Sequence, residues 1–400
     1  MNIRKKQKAR ELFGYSEGLL LEKYLRISLI KGRVKKATTM PLVEILKKRA
    51  STWAGSLLSM QGRVVLIQYV LRSLSVYNMG IYKWPISVIQ EGERCIWNFL
   101  WSRSSETRKA CTVSWEKVCK QRNEGRLGIR KLKDINLSLL MKLAWKFLEG
   151  GDDWAKFIRA KFTARNGDLY TYFRGSSVWA GLKWAMPMVK QHTGWIAGDG
   201  KDIDLWRDNW CALESIKELV DNKNIPWKQM KAKVSCIITN GKWTAPQDLL
   251  TVLTRLNIEL GSIKIYRGRR DQKIWEPNLQ GKFSMQSAHE MVRQKGAKQW
   301  WTKYLYGEAV HPRNALWGWR LYNNAIPTDD NEKKKGIDIA SRCRMCEEAE
   351  ESMHHLYWGC KVSVALWQWS MNMFQIHCHS LDLKAMIKAT DNKSSYIKDL

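Results

Sequence analysis

Residues 343–360 read Cys-Arg-Met-Cys-Glu-Glu-Ala-Glu-Glu-Ser-Met-His-His-Leu-Tyr-Trp-Gly-Cys, and this stretch decides how the last part of the chain folds. It brings the thiols of Cys343, Cys346 and Cys360 close in sequence to the imidazole of His355. Three thiolates and one imidazole are the ligand set of a closed, tetrahedral zinc site. Because such a site has no open coordination position, it stabilises a fold and indicates no reaction. The stretch therefore predicts one structural Zn²⁺.

Two features of this segment are left open by the sequence. His354 stands beside His355 and carries the same imidazole, so either histidine could be the fourth ligand. The spacing from His355 to Cys360 is slightly too long for one face of a regular α-helix, so we expect the turn to unwind near Gly359. The same residues could instead be buried thiols and a core histidine, but their close, ordered spacing favours a metal.

The chain is strongly basic. It carries 68 Lys and Arg against 38 Asp and Glu, which gives a formal net charge of +30. Such a charge repels itself unless an anionic partner offsets it, and nucleic acid is the first expectation for that partner. A membrane surface is the second. No apolar run of eighteen residues occurs, so the sequence predicts no transmembrane helix, and we expect no membrane partner.

The first residues, Met-Asn-Ile-Arg-Lys-Lys, are followed by no apolar run of the kind that a secretory signal contains. We therefore expect the protein in the nucleus or the cytoplasm and not in the secretory pathway. In those reducing compartments its nine cysteines would be thiols or metal ligands rather than disulfides.

Apolar periodicity and turn residues divide the chain into segments of different character. The predicted bounds are a basic segment at 1–39, a helical domain at 40–185, a connector with β-hairpins at 186–298, a zinc-containing domain at 299–370 and a tail at 371–400. Together they predict a mainly α fold with small antiparallel β-hairpins, in the α+β class.

A helical stripe dominates the early part of the 40–185 segment. Its apolar residues recur at steps of three, four or seven: Leu42, Leu46, Trp53, Leu57, Met60, Val64, Ile67, Leu71 and Leu74. This spacing predicts an amphipathic helix pair that packs the stripe into a core. Four basic side chains lie off the stripe, and we predict that they contact phosphates: Lys47, Lys48, Arg63 and Arg72.

The connector alternates turn residues with short apolar runs. Asp199–Gly200 predicts a hairpin over residues 195–206, and residues 271–276 with 281–285 predict a second one. A loop before the second hairpin holds three arginines that we also predict to contact phosphates: Arg267, Arg269 and Arg270.

Short motifs along the chain are similar to those of one known family. They include Gly14-Tyr-Ser-Glu-Gly18, Asn98-Phe-Leu-Trp101, Leu127-Gly-Ile-Arg130, Gly198-Asp-Gly200, Trp206-Arg-Asp-Asn-Trp210, Gly281-Lys-Phe-Ser284, Ile326-Pro-Thr328 and the zinc ligands. In this order, from about Glu11 to Trp369, the chain resembles the carboxy-terminal part of plant-type LINE (non-LTR retrotransposon) reverse transcriptases.

The resemblance gives the predicted segments their expected roles. Residues 1–39 would contain the end of the palm, 40–185 the thumb, 186–298 the connector and 299–370 the reverse-transcriptase zinc-binding domain. It implies RNA or an RNA/DNA duplex as the partner, since the thumb of related polymerases grips the template–primer backbone. It also implies kinship with RNA-directed DNA polymerases.

The catalytic turn of that family has no match in this sequence. The family holds two Mg²⁺ ions with a Tyr/Phe-x-Asp-Asp turn in the palm. Gly150-Gly-Asp-Asp153 is predicted to be a loop that caps a helix, and Asp329-Asp330 to begin one. No separate triad of acids suggests an endonuclease or a ribonuclease H. We therefore expect a nucleic-acid-binding polypeptide without a catalytic palm, and assign no catalytic residue.

Two other functions stay open in the sequence. The chain could work as an RNA-directed DNA polymerase subunit with a palm supplied in trans. Alternatively, the zinc module could bind a protein partner through its tryptophan-rich segment at 358–369 and have no nucleic-acid role. The 22 tryptophans of the chain are compatible with such a surface, although most must lie in cores.

Overall fold

A computed structural model describes residues 7, 11, 23–24, 27–30, 32–53, 58–102, 104–107, 110–164, 168–170, 175–220, 225–226, 230–307, 310–378 and 382–390. Helices dominate these residues, and the strands form antiparallel two-stranded pairs. This architecture confirms the predicted mainly α fold with small β elements.

The chain divides into two compact units, and each draws on separate stretches of sequence. The first contains residues of Met1–Pro41, Ser75–Ile89 and Lys133–Arg293, and the second contains residues of Leu42–Leu74, Gln90–Leu132 and Gln294–Leu400. The predicted domains were consecutive in sequence, whereas both units are discontinuous. The thumb-like segment predicted at 40–185 thus contributes to both of them.

The α-helices of the described residues vary from one turn to five. In chain order they are Lys36–Thr52, Met60–Leu66, Ser73–Met79, Ile86–Ser102, Trp115–Val118, Leu132–Glu149, Asp153–Phe162, Trp179–Gln191, Ile216–Val220, Gln247–Arg255, Met285–Val292, Thr302–Leu305, Pro312–Tyr322, Asp329–Lys333, Lys361–Met373 and Leu383–Ala389. Two π-helical turns, Ile67–Leu71 and His355–Gly359, interrupt this pattern.

The first unit is built around the Leu132–Glu149 helix. Its side chains pack against the stacked rings of Phe162 and Trp179, whose centroids lie 4.4 Å apart. Asn136 lies inside this helix, four residues after its start, and is fully buried. Its amide donates to the carbonyl oxygens of Met79 and Tyr82. These bonds join the helix to residues 79–82, which are far away in sequence.

The sheet of this unit corrects the predicted hairpin at 195–206. Strand β3, Thr193–Ile196, pairs antiparallel with the distant strand β6, Gln272–Trp275, in the register Thr193↔Trp275. The second predicted hairpin, 271–276 with 281–285, was wrong too, because residues 281–285 form no strand. The Trp275 N–H still donates to the Gly281 carbonyl. The hydrophobic pattern thus marked β3 and β6 as strands, but it did not show that they pair with each other.

Two further strand pairs are short hairpins. Lys23–Tyr24 (β1) pairs with Ile27–Ser28 (β2), and Ile238–Thr239 (β4) pairs with Lys242–Trp243 (β5). Asn240 and Gly241 join β4 to β5, both with positive φ. Asn-Gly is the residue pair that a tight two-residue hairpin turn favours, because both positions require a left-handed backbone.

The second unit packs the predicted apolar stripe into a core. Ile67 and Leu71, on the π-helical turn, are fully buried, as are Phe99 and Leu100 of the Ile86–Ser102 helix. The indole N–H of Trp319 reaches across to the Gly125 carbonyl at 3.0 Å. The stripe prediction is therefore confirmed for its central residues.

No helix among the described residues has both the length and the apolar character that crossing a bilayer requires.

Candidate metal centre and nucleic-acid interface

A tight turn positions the first two cysteines. The Glu347 N–H donates to the Cys343 carbonyl at 2.8 Å, and the Cys343 N–H donates to the Ala349 carbonyl at 2.7 Å. Glu347 adopts a left-handed backbone with φ of 59°. These bonds reverse the chain directly after Cys346, so both sulfurs point to the same side.

A π-helical turn, His355–Gly359, positions the other two ligands. The Cys360 N–H donates to the His355 carbonyl at 2.7 Å, five residues back in the chain. The expected departure from a regular α-helix near Gly359 thus takes the form of a π-helical turn. The extra residue is absorbed by widening the helical turn, which places His355 and Cys360 on one side of it.

The four ligand atoms converge. The sulfurs of Cys343, Cys346 and Cys360 and a ring nitrogen of His355 all lie within 4.8 Å of one another. The Cys343 and Cys360 sulfurs are 4.0 Å apart, and the Cys346 sulfur lies 3.3 Å from His355 Nε2. Zn–S bonds of about 2.3 Å make a tetrahedron with edges of roughly 3.8 Å, so these distances suit zinc. His354 is exposed and belongs to no such cluster, which favours His355 as the fourth ligand.

The thiols differ in their readiness to lose a proton. The backbone N–H of Glu348 donates to the Cys346 sulfur and lowers the pKa of this thiol to about 6. Burial raises the pKa of Cys343, so a metal must displace its proton. This mixture is ordinary for zinc sites, because metal binding and thiol deprotonation are linked.

The zinc module has a very small core of its own. The three cysteines are its buried members, and the partly buried side chains of Leu356 and Val362 pack against them. An apolar cluster of this size contributes little burial free energy. The donor set and the small core therefore both fit a metal that stabilises the fold.

Within the second unit, the predicted phosphate contacts differ in their surroundings. Lys47 lies 2.9 Å from the Glu91 carboxylate and 3.2 Å from Glu44, and its hydrogen bond to Glu91 raises its pKa. Arg63 is only 7% exposed, and its guanidinium donates to the carbonyls of Phe99 and Leu100. The charged groups of Lys47 and Arg63 are therefore already engaged within the protein, whereas Lys48 is exposed.

Arg72 lies in a different environment. Burial lowers its pKa, and the nearby positive charge of Arg130 lowers it further. Tyr69, beside them on the π-helical turn, is largely exposed. Two arginines close enough to repel one another next to an exposed aromatic ring form a surface that a phosphate would stabilise.

The three arginines predicted in the connector all lie on one exposed loop of the first unit. Arg267, Arg269 and Arg270 are exposed, and the loop leads directly into β6. Asp271 ends it and accepts three backbone N–H groups, from Gly198 at 2.7 Å, Gly200 at 2.9 Å and Asp202 at 2.9 Å. This carboxylate fixes the base of the loop, and it explains the Gly198-Asp-Gly200 motif.

Both acidic pairs are parts of helix ends, as predicted. Gly150 has φ of 75° and donates its N–H to the Lys146 carbonyl, which ends one helix. The Asp152 side chain then caps the next helix by accepting the Ala155 N–H at 2.8 Å. Asp329 and Asp330 begin the Asp329–Lys333 helix.

Sequence reasoning missed two cavities. In the first unit, a cavity of about 1070 Å³ contains Lys273 and Asp208 among its lining residues. Burial lowers the pKa of Lys273 to about 8 and raises that of Asp208. Arginines, lysines and carboxylates alternate along this lining, so its charges compensate one another and we assign it no ligand.

The other cavity, of about 640 Å³, lies in the second unit and is lined by arginine and tryptophan side chains. Its arginines Arg313 and Arg320 carry no sequence signal that marks them as a site. No periodicity could identify the cavity, because its walls come from separate stretches of chain.

Comparisons with known proteins agree with this geometry. Residues 283–367 match the family model described as zinc-binding in reverse transcriptase. Over 356 residues the chain is 29% identical to an Arabidopsis thaliana protein with the provisional name ribonuclease H protein, a match covering 85% of this chain and 57% of that protein. An uncharacterized mitochondrial protein of Arabidopsis thaliana is 23% identical over 147 residues, covering 36% of this chain and 96% of that protein.

The chain thus spans little more than half the length of the first relative. The region matching the family model begins at residue 283, before the start predicted at 299, and contains all four zinc ligands. The order of the motifs, the converging ligands and the matched region agree. The chain therefore resembles the carboxy-terminal part of a LINE-like reverse transcriptase, with the reverse-transcriptase type of zinc-binding sequence at residues 283–367.

Proposed function

We propose that this protein binds the phosphate backbone of RNA or of an RNA/DNA duplex and uses a structural Zn²⁺ to stabilise its C-terminal module. The observation that carries the proposal is the exposed Arg267–Arg270 loop in a chain of net charge +30. Contacts of this kind fix a protein on a nucleic acid without reading its sequence, and they weaken as salt rises.

The loop has the features of a prepared anion-binding surface. Within the described ranges, none of its three arginines forms an ion pair with a carboxylate. Arg267 Nε donates to the Gly241 carbonyl at 3.4 Å, a long bond that leaves the positive charge of the side chain without a counter-ion. Lys264 lies over the ring of Tyr266, at 5.2 Å from its centroid, on the same loop. The anchoring of the loop by Asp271 reduces the conformational entropy that binding would otherwise cost.

A second contact surface, in the other unit, consists of Arg72, Arg130 and the exposed ring of Tyr69. Lys48 adds an exposed cation in that unit. We leave Lys47 and Arg63 out of the proposed contacts, because Lys47 forms an ion pair with Glu91 and Arg63 donates to the Leu100 carbonyl.

The experiment compares two triple variants with the same loss of charge. One carries Arg267→Gln, Arg269→Gln and Arg270→Gln. The control carries Lys146→Gln, Lys156→Gln and Lys201→Gln, whose side chains lie 3.7, 3.1 and 3.6 Å from aspartates in the same unit. Filter binding of a duplex across a salt series measures the slope of log K against log salt.

We expect the loop variant to lose up to about three units of slope, roughly one per phosphate contact, and the control less than one. Equal slopes for the two variants would show that net charge matters and the loop does not. That result would contradict the proposed contact surface.

A second candidate function, protein binding by the zinc module, is favoured by one observation. Leu366, Trp369 and Met373 are all more than half exposed and lie on one side of the Lys361–Met373 helix. Sedimentation of nuclease-treated protein provides a test with a second copy as the partner. Self-association that disappears in Trp369→Asp would favour this candidate, and a monomer at all concentrations would count against it.

A further inference from the structure

The cavity of about 640 Å³ in the second unit combines cationic and aromatic walls. Ser59, Ser102 and Thr107 supply hydroxyl groups, and Arg313, Arg320 and Trp317 come from the Pro312–Tyr322 helix. Its volume lies within the range of about 300–1000 Å³ that small-molecule sites occupy. The cavity therefore has room for one nucleotide and some water.

Two arginines of its wall, Arg313 and Arg320, lie on the Pro312–Tyr322 helix. Arg313 is exposed, and Arg320 is half-buried, with its Nε buried and without a hydrogen-bond partner. Burial lowers the pKa of Arg320. Among the residues that the structure describes, neither guanidinium pairs with a carboxylate. Since a partly buried, unpaired cation is costly, an anion entering the cavity would be stabilised.

Its aromatic wall is exposed and held in place. Trp317 is 48% exposed, although large aromatic side chains are usually buried. The Tyr357 hydroxyl accepts a hydrogen bond from its indole, and Tyr357 lies on the π-helical turn between the zinc ligands His355 and Cys360. The orientation of this ring is thus tied to the zinc centre. A fixed, half-exposed indole next to unpaired guanidinium groups suits a planar, anionic ligand.

We propose that this cavity takes one unpaired nucleotide of a nucleic-acid strand, with its base stacked on Trp317 and its phosphate bound by Arg313 and Arg320. The proposal rests on the proposed function and specifies which part of the nucleic acid enters the cavity. Stacking is tolerant of base identity, so the site prefers single strands over duplexes without reading sequence. An acidic peptide would use the arginines but leave the indole face unmatched.

The test measures the affinity of the full-length, zinc-loaded protein for three probes: oligo(dU), an abasic strand of equal length, and a blunt duplex. Trp317→Ala removes one indole on which a base can stack. We expect this variant to bind oligo(dU) about 10-fold more weakly or worse than the wild-type protein, and to bind the duplex and the abasic strand with unchanged affinity. Trp300→Ala, which removes another exposed indole of the same unit, is the matched control. Arg320→Gln should weaken binding of oligo(dU) and of the abasic strand alike.

Zinc content and circular dichroism of each variant show whether the module has folded. If Trp317→Ala fails this check, Tyr357→Phe, which only releases the indole, should still reduce oligo(dU) binding. Equal losses for all three probes in Trp317→Ala, no loss at all, or competition by poly-glutamate as strong as that by oligo(dU) would overturn the cavity proposal while duplex binding persists. Failure of the wild-type protein to bind any of the probes would overturn the proposed function itself.

Discussion

Asp271 shows how a single residue can organise a surface far larger than itself. Its two carboxylate oxygens accept three backbone N–H groups from residues 198–202, and the exposed arginines precede it directly in the chain. Hydrogen bonds to a charged acceptor contribute more than neutral ones, roughly 1.5–3 kcal/mol each. Asp271 should therefore matter both to stability and to the shape of the basic loop.

We expect Asp271→Ala to lower the free energy of unfolding by about 2 kcal/mol or more, because three N–H groups lose their acceptor. Urea unfolding followed by circular dichroism measures this change. Asp199→Ala, which removes a neighbouring carboxylate that accepts one local bond, is the control. Equal small losses for both variants would contradict the anchoring role.

Lys273 gives a pH dependence with a definite sign. Burial lowers its pKa to about 8 in the folded protein, against 10.5 for an ordinary lysine side chain. Between these pH values the unfolded chain binds more protons than the folded one, so the free energy of unfolding rises with pH in this window. The wild-type protein should therefore gain stability relative to Lys273→Met as pH rises from 8 to 10. Parallel stability curves for the two proteins would refute this assignment.

At the level of elements, the zinc segment and the sheet differ in how far sequence predicts them. The ligands Cys343, Cys346, His355 and Cys360 are close in sequence, so residue type and spacing identified them. The spacing of His355 and Cys360 indicated that a regular α-helix does not fit there. It did not indicate that a π-helical turn takes its place. The β3–β6 pairing joins strands far apart in the chain, and no local pattern specifies such a partner.

Helix ends were predictable for a similar reason. Gly150 ends one helix and Asp152 caps the next through bonds to residues only a few positions away in the chain. Both partners of each bond can therefore be identified in a short stretch of sequence. Asn136 and the walls of the arginine–tryptophan cavity depend on partners from distant segments. Their roles became visible only in the folded chain.

Removal of a zinc ligand should unfold the C-terminal module, since its apolar core is too small to fold without the metal. We expect about one Zn²⁺ per wild-type chain and loss of that metal in Cys343→Ser and Cys360→Ser. Limited proteolysis should then cut within residues 343–373. His354→Ala should keep both metal and protease resistance, and metal loss in this variant would show that the fourth ligand is misassigned.

At the level of the whole molecule, the net charge of +30 favours an anionic partner, and the resemblance favours nucleic acid as that partner. The chain corresponds to little more than half of its first relative, so the activity named for that protein belongs to a longer polypeptide. The sequence predicts no catalytic palm, and we propose binding rather than nucleotide addition.

Primer extension on an RNA template with Mg²⁺ tests this expectation. We expect no extended product from the chain alone, because no Tyr/Phe-x-Asp-Asp turn is present to hold the ions. Product formed by the purified chain would refute the prediction. Product formed only after addition of a separate palm domain would support the alternative of a polymerase completed in trans.

The most direct test of the central claim is duplex binding by the wild-type protein across a range of salt concentrations. If the exposed cations neutralise phosphates, log K falls linearly with log salt, by about 0.9 per phosphate contacted in a B-form duplex. We expect a slope of several units. A flat line, or no measurable binding at low salt, would contradict it.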